Sequence, residues 1–238
     1  MKLSLSGLLI WTMTVQAQSF DLKTDWSDAS NPNGVWRYRQ GTTVLSSSTW
    51  AFDFTAQPAW LGGTPAVWLK TQSTAGFDVV VGDVVTHTAT NTNPLTNTVW
   101  TSPAAGTIDI NGGVWMIREI GRSNDWFIRH NGSLLSSGSL SSGDPFNRAS
   151  PFDLDTGSGG VLNNIAVNAG DQIEISFQTT GNLAGDYVGV NFGIILTAVP
   201  EPGSLALMGL AASAAGLVVW KQRRSFRRKK RFTVSQRR

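Results

Sequence analysis

Hydrophobic and polar residues alternate along much of this chain, a pattern typical of β-strands that bury one side and expose the other. Residues 172–178 give the clearest case, because Ile173, Ile175 and Phe177 share one face. Residues 187–196 repeat the same period. Further predicted strands span residues 35–39, 50–54, 66–69, 83–88, 98–101, 107–110, 114–119 and 161–167.

A β-hairpin is predicted at Asn131-Gly132, which separates two apolar segments and readily takes the positive φ angles of a type I′ turn. About ten short strands, with no capped helical pattern between them, predict an all-β fold: a two-sheet antiparallel β-sandwich similar to a jelly roll. Residues 136–160 are rich in Ser and Gly and are predicted to form a long surface loop.

The N-terminus has the features of an export signal. Met1-Lys2 is positively charged, residues 3–15 are mostly apolar, and Val15-Gln16-Ala17 provides a small-residue cleavage site. We therefore predict a signal peptide over residues 1–17 for Sec-type export, and a mature protein that begins at Gln18. An uncleaved anchor or a buried first strand is the alternative.

The C-terminus has the features of a membrane anchor. Residues 204–220 form a run of 17 without a formal charge, at the short limit for a single transmembrane helix. Residues 221–238 contain ten Lys or Arg and no Asp or Glu, so this basic tail should stay in the cytoplasm. Residues 18–198 are then predicted to form one extracytoplasmic domain, held at the inner membrane.

The order of these C-terminal pieces resembles a known sorting signal. Val199-Pro200-Glu201-Pro202, an apolar helix and a basic cluster are together similar to the PEP-CTERM tail, which is also catalogued as the C-terminal domain of ice-binding proteins. The resemblance implies that exosortase recognises the tail, cuts near Pro-Glu-Pro and releases the protein to the cell surface or the exopolysaccharide matrix. An ordinary tail anchor is the alternative.

Charge and composition narrow the function classes. The chain has no cysteine, which excludes disulfides and thiolate chemistry. The formal charge of +3 comes from the tail, because residues 18–198 hold 15 acidic and 8 basic residues, a difference of −7. No nucleic-acid partner is expected, since the basic residues follow an apolar span and therefore favour a membrane role.

A second resemblance covers the body of the chain. Residues 30–36, 99–108 and 168–173 are together similar to the β-sandwich body common in exported PEP-CTERM proteins, and to galactose-binding-like and carbohydrate-binding modules. The resemblance implies an extracellular polysaccharide as a partner, although fold alone does not fix function.

Eight tryptophans lie in the body, and most are expected to fill the core. Aromatic rings can also stack on sugars, and Trp60, in a Pro/Gly-rich stretch, is predicted to lie in an exposed loop. Trp36 and Tyr38, on one face of their strand, are the other candidate carbohydrate-binding residues. A fully buried face is predicted for Trp50, Phe52 and Phe54.

No catalytic residues emerge from the sequence. A glycosidase needs two acids across one cleft, but the candidate carboxylates are scattered and the two histidines are isolated. We therefore predict a protein that is not an enzyme, with a glycan-active enzyme as the alternative. The acids considered are Asp53, Asp83, Glu119 and Asp125.

No cofactor is predicted, with one weak exception. Asp153 and Asp155, followed by Gly157, resemble half of a calcium loop, which makes them candidate ligands of a structural calcium ion. The run lacks the later glutamate of such loops, and Asx-turns in a flexible loop are the favoured explanation of the same residues.

The sequence thus favours an exported, non-catalytic surface or matrix protein, with carbohydrate binding by the body as one hypothesis. A purely structural or ice-binding protein is the other alternative to an enzyme. Ice binding would need regular Thr-x-Thr rows, and only Thr86-His87-Thr88-Ala89-Thr90 provides one.

The sorting interpretation is tested by replacing Pro200-Glu201-Pro202 with alanines. Export should continue, because the signal peptide is unchanged, but the protein should remain in the inner membrane. Cell fractionation followed by immunoblotting measures this, with the unaltered chain as the control. Surface delivery equal to that of the unaltered chain would contradict exosortase sorting.

Overall fold

A computed structural model describes residues 17–52, 54–63, 66–73, 76–88, 94–182, 184–199 and 220. The chain divides into two compact units, 1–198 and 199–238. Residues 1–16, Pro200-Glu201-Pro202, residues 204–219 and the basic tail lie outside the described residues. Among the residues that are described, no helix combines the length and apolar character needed to cross a membrane.

The described part of the first unit consists of β-strands and one short 3-10 helix. The strands are β1 (Ala17–Asp21), β2 (Trp36–Gln40), β3 (Thr43–Val44), β4 (Ser46–Phe52), β5 (Thr55–Leu61), β6 (Val67–Lys70), β7 (Val84–His87), β8 (Thr96–Thr101), β9 (Gly106–Met116), β10 (Ser123–His130), β11 (Ser133–Ser141), β12 (Phe152–Asp153), β13 (Ser158–Gly159), β14 (Ile165–Val167), β15 (Gln172–Thr179) and β16 (Tyr187–Ala198). The 3-10 helix spans Leu154–Thr156, between β12 and β13.

The strands form two antiparallel sheets, which confirms the predicted fold class. Sheet A has the order β12-β9-β16-β7-β6-β5-β4, with β1 beside β16 and β14 beside β9. Sheet B has the order β13-β11-β10-β15-β8-β2-β3. Strand β16 pairs with β9 from Val188 to Ala198, while β7 and β1 share its other edge.

Eight of these strands have the order of a jelly roll. Four of them are neighbours in sheet A in the order β7-β16-β9-β14, and the other four are neighbours in sheet B in the order β8-β15-β10-β11. Strands β6, β5 and β4 extend sheet A beyond β7, and β2 and β3 extend sheet B beyond β8. The predicted hairpin is confirmed, since Asn131 and Gly132 both have positive φ between β10 and β11.

Aromatic rings join the two sheets across the core. Tyr38 of sheet B lies 6.2 Å from the ring of Trp60 and 6.2 Å from that of Trp68, both in sheet A. Trp36 meets Phe192 edge to face at 5.9 Å. Burial of such large apolar surfaces is the main stabilising contribution in a chain without disulfides.

Several predicted boundaries are wrong for identifiable reasons. Residues 136–160 do not form one loop. Strand β11 continues to Ser141 in register with β10. Further along the segment lie β12, the 3-10 helix and β13. Strand β9 joins two predicted strands, since residues 111–113 continue the pairing with β16. Phe54 is not in the core: it is 99% exposed, with a positive φ of 61°, at the turn between β4 and β5.

An ion cluster at the start of β7 ties three chain segments together. The Asp83 side chain is 4% exposed and receives Lys23 Nζ at 2.8 Å and Arg148 Nε at 2.6 Å. Burial raises the pKa of this carboxyl, but hydrogen bonds from Arg148, Lys23 and the Val80 N–H lower it by more. The net pKa of Asp83 is therefore below its ordinary value, and the ionised form stabilises the fold.

Trp60→Ala should lower the free energy of unfolding by about 3–5 kcal/mol, because it leaves a cavity beside Tyr38 in the core. Phe54→Ala is the control and should change it by less than about 0.5 kcal/mol, since that ring is exposed. Chemical denaturation measures both. Equal stability of the two variants would contradict the placement of Trp60.

Asp83→Asn should cost about 2 kcal/mol of stability at neutral pH, because two charge-assisted hydrogen bonds are lost. Since the folded pKa of Asp83 is lowered, its contribution is present above the unfolded pKa and disappears as the pH falls through the folded value. The difference from the unaltered chain should therefore shrink below about pH 4.

Thermal unfolding at a series of pH values gives this measurement. Asp155→Asn is the matched control, because Asp155 is exposed. A destabilisation by Asp83→Asn that stays constant from neutral pH down to strongly acidic pH would show that the charge of Asp83 is not what stabilises this cluster.

Candidate ligand-binding groove

The three aromatic candidates for carbohydrate binding lie in the core, which corrects their predicted placement. Trp36, Tyr38 and Trp60 are 1%, 0% and 4% exposed. Trp60 is in β5 and not in a loop, and its Nε1 donates a hydrogen bond to the Ser27 carbonyl at 2.9 Å. A sugar ring cannot reach the faces of these three rings in the folded structure.

The calcium candidates lie beside a small surface cavity. Asp153 and Asp155 line a space of about 390 Å³ together with Asn111, Asn163 and Asn191. Within the described ranges, no group of three or more His, Cys, Asp or Glu side chains is placed to hold a metal ion. The structure therefore adds no support to the calcium prediction.

The described part of the Thr-x-Thr row is not exposed. Thr86 and Thr88 are both buried, and Thr86 Oγ1 donates to the Val67 carbonyl at 2.9 Å. A row of threonines can bind ice only from an exposed face, and these two threonines do not provide one. Thr90, the third threonine of the row, lies outside the described residues.

A groove on the outer face of sheet B is a candidate site for a polar ligand. Its volume is about 520 Å³, and side chains from β2, β8, β10 and β15 line it. We call it the sheet B groove. Its lining residues are Arg39, Gly41, Thr42, Leu95, Asn97, Phe127, Arg129, Glu174 and Gln178.

The polar face of the groove follows from the aromatic core beneath it. Because successive side chains of a strand point to opposite faces, burying Tyr38 places Arg39 outside, and burying Ile175 places Glu174 outside. The register aligns Arg39, Asn97, Ser176 and Phe127 in one row across four strands.

Asn97 forms the floor of the groove and is 2% exposed. Its Nδ2 donates to Glu174 Oε2 at 2.7 Å and to the Gly41 carbonyl at 3.1 Å. Its Oδ1 is buried and receives no hydrogen bond from the described residues, and Arg39 Nε is a buried donor in the same situation. Buried polar atoms normally have partners, and these two are exceptions within the described part of the chain. Because both atoms are buried, a ligand on the groove surface does not contact them in this conformation.

Glu174 holds two arginines over this floor. Arg39 Nη2 lies 3.3 Å from Glu174 Oε2, and Arg129 Nη1 lies 4.0 Å from Oε1. Arg129 also donates to Ser176 Oγ at 2.9 Å, and its guanidinium lies 4.7 Å from the centre of the Phe127 ring. The wall of the groove thus combines a charged plane with an aromatic surface.

The hairpin that carries Phe127 and Arg129 is fixed to the start of β15 by Asp171. Its carboxylate accepts hydrogen bonds from the Asn168 N–H, from Asn131 and from His130. The Asn168 N–H contributes most to lowering the pKa of Asp171, which falls to about 2. Asp171 is consequently ionised at neutral pH and holds β10 against β15.

The sequence did not reveal these groove residues. The alternation of residues 172–178 places Glu174 and Gln178 on an outer face, and the same logic applies to Arg39. The alternation predicts the face on which each residue lies, but not which residues of other strands lie beside it. Only the register between strands that are distant in sequence brings Arg39, Asn97, Glu174 and Arg129 together.

Comparison with known proteins identifies the tail and leaves the body open. Residues 198–224 match the PEP-CTERM protein-sorting motif, which confirms the resemblance of the tail and supports an exported protein sorted by exosortase. No curated protein sequence matches this chain significantly.

A solved structure titled "Crystal structure of Agl-KA catalytic domain" aligns over 68% of this chain at 16% identity, with a TM-score of 0.28. The chain spans 29% of that chain. A TM-score this low carries no argument about fold or activity.

Proposed function

We propose that this is an exported, non-catalytic protein of the cell surface or extracellular matrix whose sheet B groove binds carbohydrate. The Sec machinery would export it, one C-terminal helix would hold it transiently in the inner membrane, and exosortase would process its tail. The PEP-CTERM motif over residues 198–224 supports the destination. The chemistry of the groove supports the activity.

The observation that carries the proposal is the lining of the sheet B groove, where two arginines and Glu174 lie beside Phe127. Neighbouring hydroxyls of a sugar ring each donate and accept hydrogen bonds, so they can bond a guanidinium N–H and a carboxylate oxygen together. Phe127, which is partly exposed, offers an aromatic surface for the apolar C–H face of the same sugar.

The charged groups of the groove support binding without catalysis. Glycoside hydrolysis needs two carboxyl groups on opposite sides of the scissile bond. Glu174 is the one carboxylate among the described residues that line the groove, and its oxygens lie close to Arg39, Asn97 and Arg129. The groove lining therefore offers no second carboxyl group to act with Glu174 across a scissile bond.

Phe127→Ala should weaken binding to the preferred glycan about tenfold, because about 1.4 kcal/mol of aromatic contact is lost. Phe54→Ala removes an identical side chain from the turn between β4 and β5 and should leave the affinity unchanged. A glycan array with the full chain in detergent micelles selects the ligand, and titration calorimetry measures both variants.

An array on which no glycan binds would contradict carbohydrate binding itself. Equal affinity of Phe127→Ala and the unaltered chain would instead show that the sugar lies elsewhere. Circular dichroism and thermal unfolding of each variant verify that a lost affinity does not reflect a lost fold.

A further inference from the structure

We propose that the sheet B groove selects an anionic glycan, one whose sugar residues carry carboxylate groups, as uronic acids do. This inference rests on the proposed carbohydrate-binding function and adds the class of ligand. It follows from the charge distribution of the body and from the way in which the groove holds its own carboxylate.

The groove carries a net positive charge, whereas the domain that contains it is net negative. Residues 18–198 hold 15 acidic and 8 basic residues, nearly two acids for each base. The groove lining holds Arg39 and Arg129 against Glu174 alone, so it has one excess positive charge. Arg37 lies on the same outer face of β2, opposite Val99 in the register, and adds a further cation next to the groove.

The two guanidinium groups already bind a carboxylate. Glu174 presents one oxygen to Arg39 at 3.3 Å and the other to Arg129 at 4.0 Å. Both contacts are longer than the 2.7–2.9 Å typical of a strong charge-assisted hydrogen bond. One carboxylate is therefore shared loosely between two arginines, and each retains donors for a second anion.

Arg39 shows this unused capacity most directly. A guanidinium has five N–H donors in a planar fork that matches a carboxylate. Arg39 Nη2 donates one hydrogen bond to Glu174, so most of the fork has no carboxylate acceptor. A carboxylate on a sugar in the groove would compensate the excess positive charge, whereas a neutral hydroxyl would leave it uncompensated.

Three polymers distinguish the ligand classes: alginate, which carries carboxylates; dextran sulfate, which carries sulfate esters; and dextran, which is neutral. Biolayer interferometry measures binding of the full chain in detergent micelles to each immobilised polymer. We expect alginate to bind at least tenfold more tightly than dextran, and the preference to decrease as ionic strength rises.

Three variants test the groove itself. Arg129→Gln should weaken alginate binding about tenfold, whereas Arg118→Gln should change it less than about twofold, because it removes the same charge from outside the groove lining. Glu174→Gln should strengthen alginate binding, since it removes the competing anion. A merely structural role for Glu174 would give the opposite sign.

The outcomes separate this inference from the proposed function. Equal binding of alginate and dextran, both weakened by Phe127→Ala, would overturn the anionic preference and leave carbohydrate binding intact. Binding of dextran sulfate alone would overturn the assignment of a carboxylate ligand. Weaker alginate binding by Glu174→Gln, with unchanged thermal stability, would overturn the role given to the arginine pair. Absence of binding to every glycan tested would overturn the proposed function.

Discussion

The fold depends on the pairing of β16 with β9, which runs without interruption from Val188 to Ala198. The other edge of β16 holds β7 along its first part and β1 along its last part. Three strands of sheet A thus pair with β16, the last strand of the body. Because the chain has no cysteine, these hydrogen bonds and the apolar surface that they help to bury replace any covalent cross-link.

The packing between the sheets also decides what their outer faces carry. Sheet B places Trp36, Tyr38, Trp100 and Trp126 inward, so the intervening positions of the same strands lie on its outer face. Those positions hold arginines, an asparagine and a phenylalanine. A surface assembled on such closely packed strands is rigid, and a rigid polar surface loses little entropy when it binds a ligand.

The fold class could be predicted because its signals are local. The alternation of residues 172–178 and the Asn131-Gly132 turn can each be recognised without knowing the rest of the chain. Local pattern failed where distant pairing decides the structure. Pro58 suggested a loop around Trp60, yet a proline fits β5, which pairs with β6 only at Trp60 and Leu61. The Ser-rich start of the predicted loop forms part of β11 because it pairs with β10. The groove depends on the register between strands that are distant in sequence, which no local pattern reveals.

Strand β16 ends at Ala198, and the sorting motif starts immediately after it. A tail that is anchored would therefore transmit any tension into β16, an interior strand of sheet A. Tension directed along β16 acts on the hydrogen bonds to β9 and β1 in shear, so they must break together. Tension on an edge strand would peel its bonds one after another. Tension along β16 would therefore meet more resistance than the same tension on an edge strand, a property separate from thermodynamic stability.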